Sequence, residues 1–558
     1  MSRPPRRLPS PRAMVVAAQP EAAEAGAATL RRGGSAVDAV VAAALVQGVV
    51  DPLMSGLGGF GALHVFDPRT GASTVLDGQG GCPLACTDAM WADRILGETS
   101  DGFGFILRDF VNECGHQAVT VPGILAVLAR AHAERGCLPW SGLASPAIAL
   151  AEDGWPVRPH NYMVFTQDER RYGRMNYGEK LGVSADGRRI YLEPDGGYKR
   201  IGQIIRNPDL AETLRAVAQD GAESFYRGDL ARRIAADMQA GGGLLTAADL
   251  AGYEPERQEP LRQAYRGWEF ATNRPPGGGV MVAEMLSILE RFDLVSLGHN
   301  SPEYIRVVAE AMKVATRDKD AHISDPRFVP PPLDRLLSPG YAEERAAAIR
   351  RGEKTSVPRL APAPSPQGAA SSPPQGESRE TTHVSCVDAD GMVVSLTHSL
   401  GIPSGVIVPG TGFMLNGCMS VFDPRPGRAG SIAPGKRRFS SMCPSIVFRD
   451  GRPVMTLGAP GGTWITLAVL QVVLNVLDWG MGMQEAVSAP RFVATSDAID
   501  ISNRIGRDVQ RAVEAMGYTV RRSALSYAFA GVHGITLFDG IAEGGADPQR
   551  DGMAIGVP

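Results

Sequence analysis

The chain has 558 residues, 44% of them hydrophobic and 21% charged, with a formal net charge of -4. That length supports several domain-sized units or one large core with insertions, and the near balance of charge argues against nucleic acid or an anionic membrane surface as a partner. The 7 cysteines are odd in number, scattered and without a CxxC pair, which argues against a disulfide framework or a zinc site and leaves them as small, mostly buried hydrophobes.

Pro4, Pro5, Pro9 and Pro11 interrupt a basic start, and the apolar run Met14 to Ala18 is too short for the core of a secretion signal, so a cytoplasmic protein is expected. Residues 20 to 34 read as a small-residue helix stopped by Gly33-Gly34. A second, more apolar helix from Ala36 to Val50 follows, too short to span a bilayer and therefore buried. Ser55-Gly56-Leu57-Gly58-Gly59-Phe60-Gly61 contains GxGxxG, but a helix precedes it and the strand Ala62 to Phe66 follows. A dinucleotide loop needs the reverse order, so these glycines are expected to serve close backbone approach. From Val119 to Arg350 the pattern is mainly helical, with apolar stripes over Gly123 to Arg135, Leu210 to Asp220, Met281 to Phe292 and Pro302 to Arg317. Between them Pro275-Pro276-Gly277-Gly278-Gly279 reads as a turn opening a helix, with anion binding as the alternative.

From Thr355 to Glu380 the chain is rich in Pro, Ser, Ala, Gln and Gly, a composition that reads as an exposed linker open to cutting. Beyond it the chain is strand-rich. His383 to Ala389 and Met392 to Thr397 form a hairpin around Asp390-Gly391, and Ser445 to Phe448 and Val454 to Leu457 form another around Asp450-Gly451. Pro460-Gly461-Gly462 then opens the helix Trp464 to Asp478, where two backbone N–H groups make a candidate oxyanion hole. A last amphipathic helix, Arg507 to Met516, leads into Tyr518-Thr519-Val520. Thr381 is either an ordinary β-branched strand residue or a nucleophile released by cleavage before it. In the second case its own α-amine, with an ordinary pKa near ~8, serves as its general base. GxSxG, HExxH and Walker loops are absent from the sequence, and His398 reads as structural.

Thr381-Thr382-His383, Arg438-Phe439-Ser440-Ser441-Met442 and Gly458-Ala459-Pro460-Gly461-Gly462 resemble, in order and spacing, the small subunit of the gamma-glutamyltranspeptidase family. Gly33 to Ala39, Ser55 to Gly59, Val121-Pro122-Gly123 and Pro275 to Gly279 are similar to large-subunit signatures of the same family, so the likeness runs from about Ala13 to the C-terminus. The resemblance implies an α+β fold, the four-layer αββα sandwich of the N-terminal nucleophile hydrolases. It also implies a precursor cut between Glu380 and Thr381 into a large chain 1-380 and a small chain 381-558. Thr381 is then the nucleophile, its α-amine the base, Ser399 the supporting hydroxyl, and the N–H groups of Gly461 and Gly462 the oxyanion hole. The substrate is a small-molecule amide or acyl compound, and no metal or cofactor is implied.

The departures from the family pattern fall on substrate recognition. Ser440 and Ser441 of the carboxylate-binding set are kept. Gln79 stands where the family has an arginine for the glutamyl α-carboxylate, Gly401 where it usually has asparagine, and Val421 where an acidic residue meets the α-amine. Losing two such charged contacts costs roughly 2 to 5 kcal/mol each at a desolvated site, enough to abolish preference for glutathione. The resemblance therefore leaves open a γ-glutamyl hydrolase or transferase and a branch acting on other acyl groups, such as glutaryl-cephalosporin acylases, oxamate amidohydrolases or carbon-carbon bond hydrolases of alkylproline formation. A non-catalytic binding protein that kept the fold is the remaining alternative.

Overall fold

The computed structural model describes residues 12–360 and 380–558. Two large sheets, antiparallel throughout, hold the centre. Their strands in chain order are β1 (Ala13–Ala17), β2 (Phe60–Asp67), β3 (Ala72–Asp77), β4 (Glu256–Gln258), β5 (Leu261–Tyr265), β6 (Trp268–Thr272) and β7 (Thr382–Val387). They continue with β8 (Val393–Ser399), β9 (Ser445–Arg449), β10 (Arg452–Gly458), β11 (His533–Thr536), β12 (Glu543–Ala546) and β13 (Met553–Val557). The first sheet runs β13-β1-β7-β8-β2-β3-β4 and the second β12-β11-β10-β9-β6-β5.

Side-chain alternation makes the layers. In β1, Met14 and Val16 join Phe66, Val387, Val393, Ile446, Phe448 and Ile535 in a cluster shared by the two sheets, while Val15 and Ala17 pack with the helices α1 (Pro20–Arg31) and α2 (Ala36–Val50). A strand covered on both faces needs apolar residues on both, so it reads as a continuous apolar run. Phe66 and Phe448 meet edge to face across the gap, ring centres 5.5 Å apart. On the far face of the second sheet lie α3 (Gly279–Leu289), α4 (Pro302–His322) and α5 (Ile465–Leu477), packed in their own core. Helices outside two stacked sheets give the αββα order expected from the sequence.

Several local expectations hold with small shifts. Ser35 and Asp38 form a reciprocal cap at the start of α2, Ser35 Oγ accepting from the Asp38 N–H at 3.2 Å. The glycine-rich stretch before β2 serves close approach: a Cβ on Gly59 would lie 2.3 Å from the Ser399 carbonyl oxygen, and one on Gly61 would lie 2.7 Å from His398 Cβ. Pro275 to Gly279 is a turn that backs the Ser440-Ser441 stretch, with Ser440 N–H donating to the Pro276 carbonyl at 2.9 Å and Gly278 N–H to Met442 at 3.0 Å.

Other expectations need correcting. Met14 to Ala18, which the sequence marks only as too short for a signal segment, is mostly β1, and β11 to β13 were not foreseen. The linker Thr355 to Glu380 is ordered where it is described: Thr355 N–H donates to Glu310 at 2.7 Å, Val357 N–H to Asp497 at 2.7 Å, and Arg359 pairs with Glu98 at 3.1 Å and Asp320 at 2.9 Å. Residues 361 to 379 lie outside the described residues. Glu380 itself is fully buried, so the linker's end is not exposed.

Asn416 ties the two halves of the sequence together. Its Oδ1 accepts from Thr120 N–H at 3.0 Å and Thr120 Oγ1 at 2.9 Å, and its Nδ2 donates to the Gly58 and Thr120 carbonyls at 2.9 Å each. Asn416→Leu strands these buried groups. The expected loss is roughly 3 kcal/mol or more, read as a lower urea midpoint in an uncut Thr381→Ala background.

Candidate active site

Thr381 sits where the chain enters β7, in the middle of the first sheet, and is 4% exposed. Its φ is 93°, a left-handed value that a β-branched residue adopts only under strain. Its hydroxyl donates to Ser399 Oγ at 3.0 Å, and Ser399 Oγ also accepts the Gly401 N–H at 2.7 Å. Ser399 ends β8, the hairpin partner of β7, so the sheet register sets the two hydroxyls against each other. Gly401 takes φ 65°, the turn that folds its N–H back onto that serine.

The glycine turn after β10 faces the same point from the second sheet. Gly461 N–H donates to the carbonyl oxygen of Glu380 at 3.0 Å, the carbonyl of the bond proposed to break. Gly461 adopts φ 138° and Gly462 φ 55°, and a Cβ on Gly461 would lie 2.3 Å from Ala530 Cβ. Only glycine fits there. The bond between Glu380 and Thr381 is thus enclosed, with the Thr381 hydroxyl on one side and the Gly461 N–H on the other.

A buried charge cluster borders this point. The guanidinium of Arg174, fully buried, holds Asp101 at 2.9 Å and Glu169 at 2.7 Å. Thr463, next to Gly462, donates its hydroxyl to the Asp101 carbonyl at 3.3 Å, which ties the cluster to the glycine turn. Burial raises the Glu380 carboxyl to about 8; Arg174 opposes the shift, while Glu169 and Asp101 add to it. Arg174 pairs with Asp101 and Glu169, and Glu380 lies within reach of the same charges, so its proton is shared with its neighbours' titration. Sequence reading missed this cluster. Arg174 and Asp101 are 73 residues apart, and nothing local distinguishes Arg174 from its neighbours Arg170 and Arg171.

The remaining candidates divide. Ser441 and Val421 line a cavity of about 560 Å³ together with Phe103, Arg438, Phe439 and Thr463. Ser440, Gly401 and Gln79 are not on its wall. Ser440 is held at the Pro276 turn, and Gln79 is 2% exposed behind it, both of its amide atoms lacking a hydrogen-bond partner among the described residues. His398 is structural, its Nε2 at 2.8 Å from Gln47 Oε1, and burial lowers its pKa to about 3. Among the described residues no group of His, Cys, Asp and Glu side chains is arranged to hold a metal ion.

Residues 22–557 match the family described as gamma-glutamyltranspeptidase. The chain belongs to that family. It is 37% identical to the "Acylase ACY 1 proenzyme" of Pseudomonas sp. (strain SE83), over 98% of this chain and 94% of the relative. It is 33% identical to the "Glutathione hydrolase proenzyme" of Bacillus subtilis (strain 168), over 98% of this chain and 91% of the relative. Among solved structures, a cephalosporin acylase from Bacillus halodurans superposes with a TM-score of 0.83 at 29% identity, covering 100% of this chain and 98% of the other. This transpeptidase-family chain is therefore an enzyme, which sets aside the non-catalytic alternative, and its sandwich is that of the N-terminal nucleophile hydrolases.

The raised Glu380 carboxyl has a measurable consequence for the uncut enzyme. Unfolded, the group titrates near its ordinary 4.5; folded, near about 8. Between those values the folded chain keeps a proton that the unfolded chain has lost, so this group makes stability fall as pH rises through that window. In uncut Thr381→Ala protein the melting temperature is expected to drop from pH 5 to pH 8.5, and the drop is expected to shrink when Glu380→Gln is added.

Proposed function

We propose that this chain is a proenzyme that cuts itself before Thr381 into chains 1-380 and 381-558, which stay paired, and then hydrolyses the amide bond of a small molecule through a Thr381 acyl ester. The observation that carries this reading is the Gly461 N–H placed on the Glu380 carbonyl while the Thr381 hydroxyl is held by Ser399.

In self-cutting, Thr381 Oγ adds to the Glu380 carbonyl carbon, and the charge gathering on oxygen meets the Gly461 N–H. The C–N bond breaks, the hydroxyl proton passes to the leaving nitrogen, and Glu380 is left as an ester on Thr381. Water then releases Glu380 as a carboxylate and restores the hydroxyl. Cutting also relieves the strained φ of Thr381, a conformation that costs on the order of 1–3 kcal/mol in an intact chain. The nitrogen so freed is an amine beside the hydroxyl and becomes the base for the next reaction. A substrate amide follows the same path: its carbonyl oxygen takes the place of the Glu380 oxygen, with Gly461 and Gly462 as donors, and its amine leaves.

The acyl group is proposed to be other than γ-glutamyl. Val421 on the cavity wall offers no charge to an ammonium, Gln79 offers none to a carboxylate, and the relative with 37% identity is named an acylase. A γ-glutamyl hydrolase is the second reading, favoured by the glutathione hydrolase relative. We also propose a cytoplasmic setting, which the free state of all seven cysteines supports. Among the described residues no helix is long and apolar enough to cross a membrane.

Intact mass and N-terminal sequencing test the cut. Wild-type protein is expected to give two chains, the second beginning Thr-Thr-His, and Thr381→Ala one uncut chain without amide turnover. A wild-type chain that stays whole yet turns over amides, or a Thr381→Ala chain cut at the same bond, would overturn the reading. Gly461→Ala forces the turn off Ala530 and is expected to slow both self-cutting and turnover by about 10² to 10³, measured as the rate of small-chain appearance and as kcat.

A further inference from the structure

Behind β7, on the face turned to the helices, a polar cluster is buried in a layer that is otherwise apolar. Gln47 is the one polar side chain of α2 after its capping Asp38, and it is fully buried. Gln19 at the start of α1, Asp51 just past α2, Thr382 and His398 surround it, none more than 1% exposed. An amide set among valines and alanines is costly to bury unless its hydrogen bonds are made. Here they are made, and they converge on the two residues that follow Thr381.

The donors and acceptors fix one another. The Asp51 carboxylate accepts from Gln19 Nε2 at 2.6 Å, which turns Gln19 Oε1 toward Thr382 and Gln47. That oxygen accepts from the Thr382 hydroxyl at 3.0 Å and from Gln47 Nε2 at 2.7 Å. Gln47 Nε2 also reaches Thr382 Oγ1 at 2.9 Å and the His383 carbonyl at 3.1 Å. Its Oε1 faces His398 Nε2 at 2.8 Å, so that nitrogen carries the proton of the neutral ring. Alternation along β7 turns Thr382 to α2 and His383 to the second sheet, where its ring meets Gly458. From the β1 side the Ala18 N–H adds a bond to the His383 carbonyl at 3.3 Å.

The chain is therefore held on both sides of Thr381. Upstream, the Gly461 N–H fixes the Glu380 carbonyl at 3.0 Å. Downstream, Gln19 and Gln47 fix the Thr382 side chain, and Gln47 fixes the His383 carbonyl as well. Thr381 between them has φ 93°. A β-branched residue keeps such a value only while both flanks are held, since release of either lets the backbone turn back to a negative φ. That turn moves the hydroxyl away from Ser399 and from the carbonyl it is to attack.

We propose that Gln47 and Thr382 are positioning residues for self-cutting: they clamp the downstream side of the strained bond, so that the Thr381 hydroxyl stays against the carbonyl that Gly461 holds. This rests on the proposed cut before Thr381 and adds what keeps that bond strained. Both side chains act through the backbone of Thr382 and His383. Cutting frees the Thr381 nitrogen and ends the strain, so the clamp bears on the cut and not on later turnover.

The test reads the two rates separately. Precursor is made by a brief cell-free translation, and small-chain appearance is followed by mass. Thr382→Val keeps the shape and loses the hydroxyl, Gln47→Met keeps the length and loses the amide, and each is expected to slow cutting by about 10- to 100-fold. Thr382→Ser restores the hydroxyl and is expected to cut within about threefold of wild type. The double variant Gln47→Met, Thr382→Val is expected to be no slower than the slower single one, because both break the same clamp. Once cut, each variant is expected to turn over glutaryl or γ-glutamyl p-nitroanilide within about threefold of wild type per small chain formed. Wild-type cutting in Thr382→Val, a Thr382→Ser chain as slow as Thr382→Val, or a kcat that falls as far as the cutting rate overturns the assignment and leaves the cut itself in place. A wild type that stays whole overturns the proposed cut and this assignment with it. Thr382→Val decides the question if Gln47→Met does not fold, since valine matches threonine in volume. If neither anilide is turned over, the cutting rates and the serine rescue decide it.

Discussion

One hydrogen bond sets the demands on the rest of the molecule: the Gly461 N–H on the Glu380 carbonyl joins a turn of the second sheet to the start of β7 in the first. Stacked sheets pack about 10 Å apart, a gap that side chains normally fill. Here backbone must meet backbone across it. Glycine makes that approach possible: a Cβ on Gly458 of β10 would lie 2.4 Å from the His383 ring of β7. Away from this corner the gap is closed by Phe66, Phe448 and their neighbours. The apolar cluster holds the sheets together, and the glycines decide where they touch.

Around that contact the chain concentrates features that would be liabilities elsewhere. Thr381 has a left-handed φ, and the buried Arg174 guanidinium is shared between Asp101 and Glu169 beside the buried Glu380 carboxyl. Strain and desolvated charge are held in place by surrounding structure that is otherwise regular and well packed. The corner around Thr381 is built from backbone groups and small hydroxyls, whereas the neighbouring cavity takes long side chains such as Arg359, Arg425, Arg438 and Phe439 into its wall. That division lets the cavity change while the corner stays the same, which fits a family whose named members include both an acylase and glutathione hydrolases.

Much of this was legible in the sequence because it was local. The hairpin around Asp390-Gly391, the glycine turn before α5 and the threonine at the start of β7 each announce themselves through turn residues and alternation. The first strand did not. Ala13–Ala17 is an apolar run without a period, and it becomes a strand because β7 and β13, hundreds of residues away, flank it on both sides. Arg174 and Arg438 were unreadable for a related reason. An arginine's meaning depends on whether an acid lies beside it, and that is settled by distant parts of the chain: Asp101 and Glu169 meet Arg174, and no acid meets Arg438 among the described residues. Gln79 stands out in the sequence as a departure from the family pattern, but its unpartnered amide is visible only in three dimensions.

The strand order of the first sheet carries one more consequence. Strands from before and after Thr381 alternate: β13, then β1, then β7 and β8, then β2, β3 and β4. The second sheet likewise joins β6 from the front of the chain to β9 from the back. Severing the chain at Thr381 would therefore separate covalent pieces without separating anything that could fold alone. While the sheet is intact the two pieces behave as one body. Once it opens, they drift apart, and reassembly becomes a search that slows with dilution. Maturation would then trade a protein that can find its way back for one that endures only as long as it never comes undone.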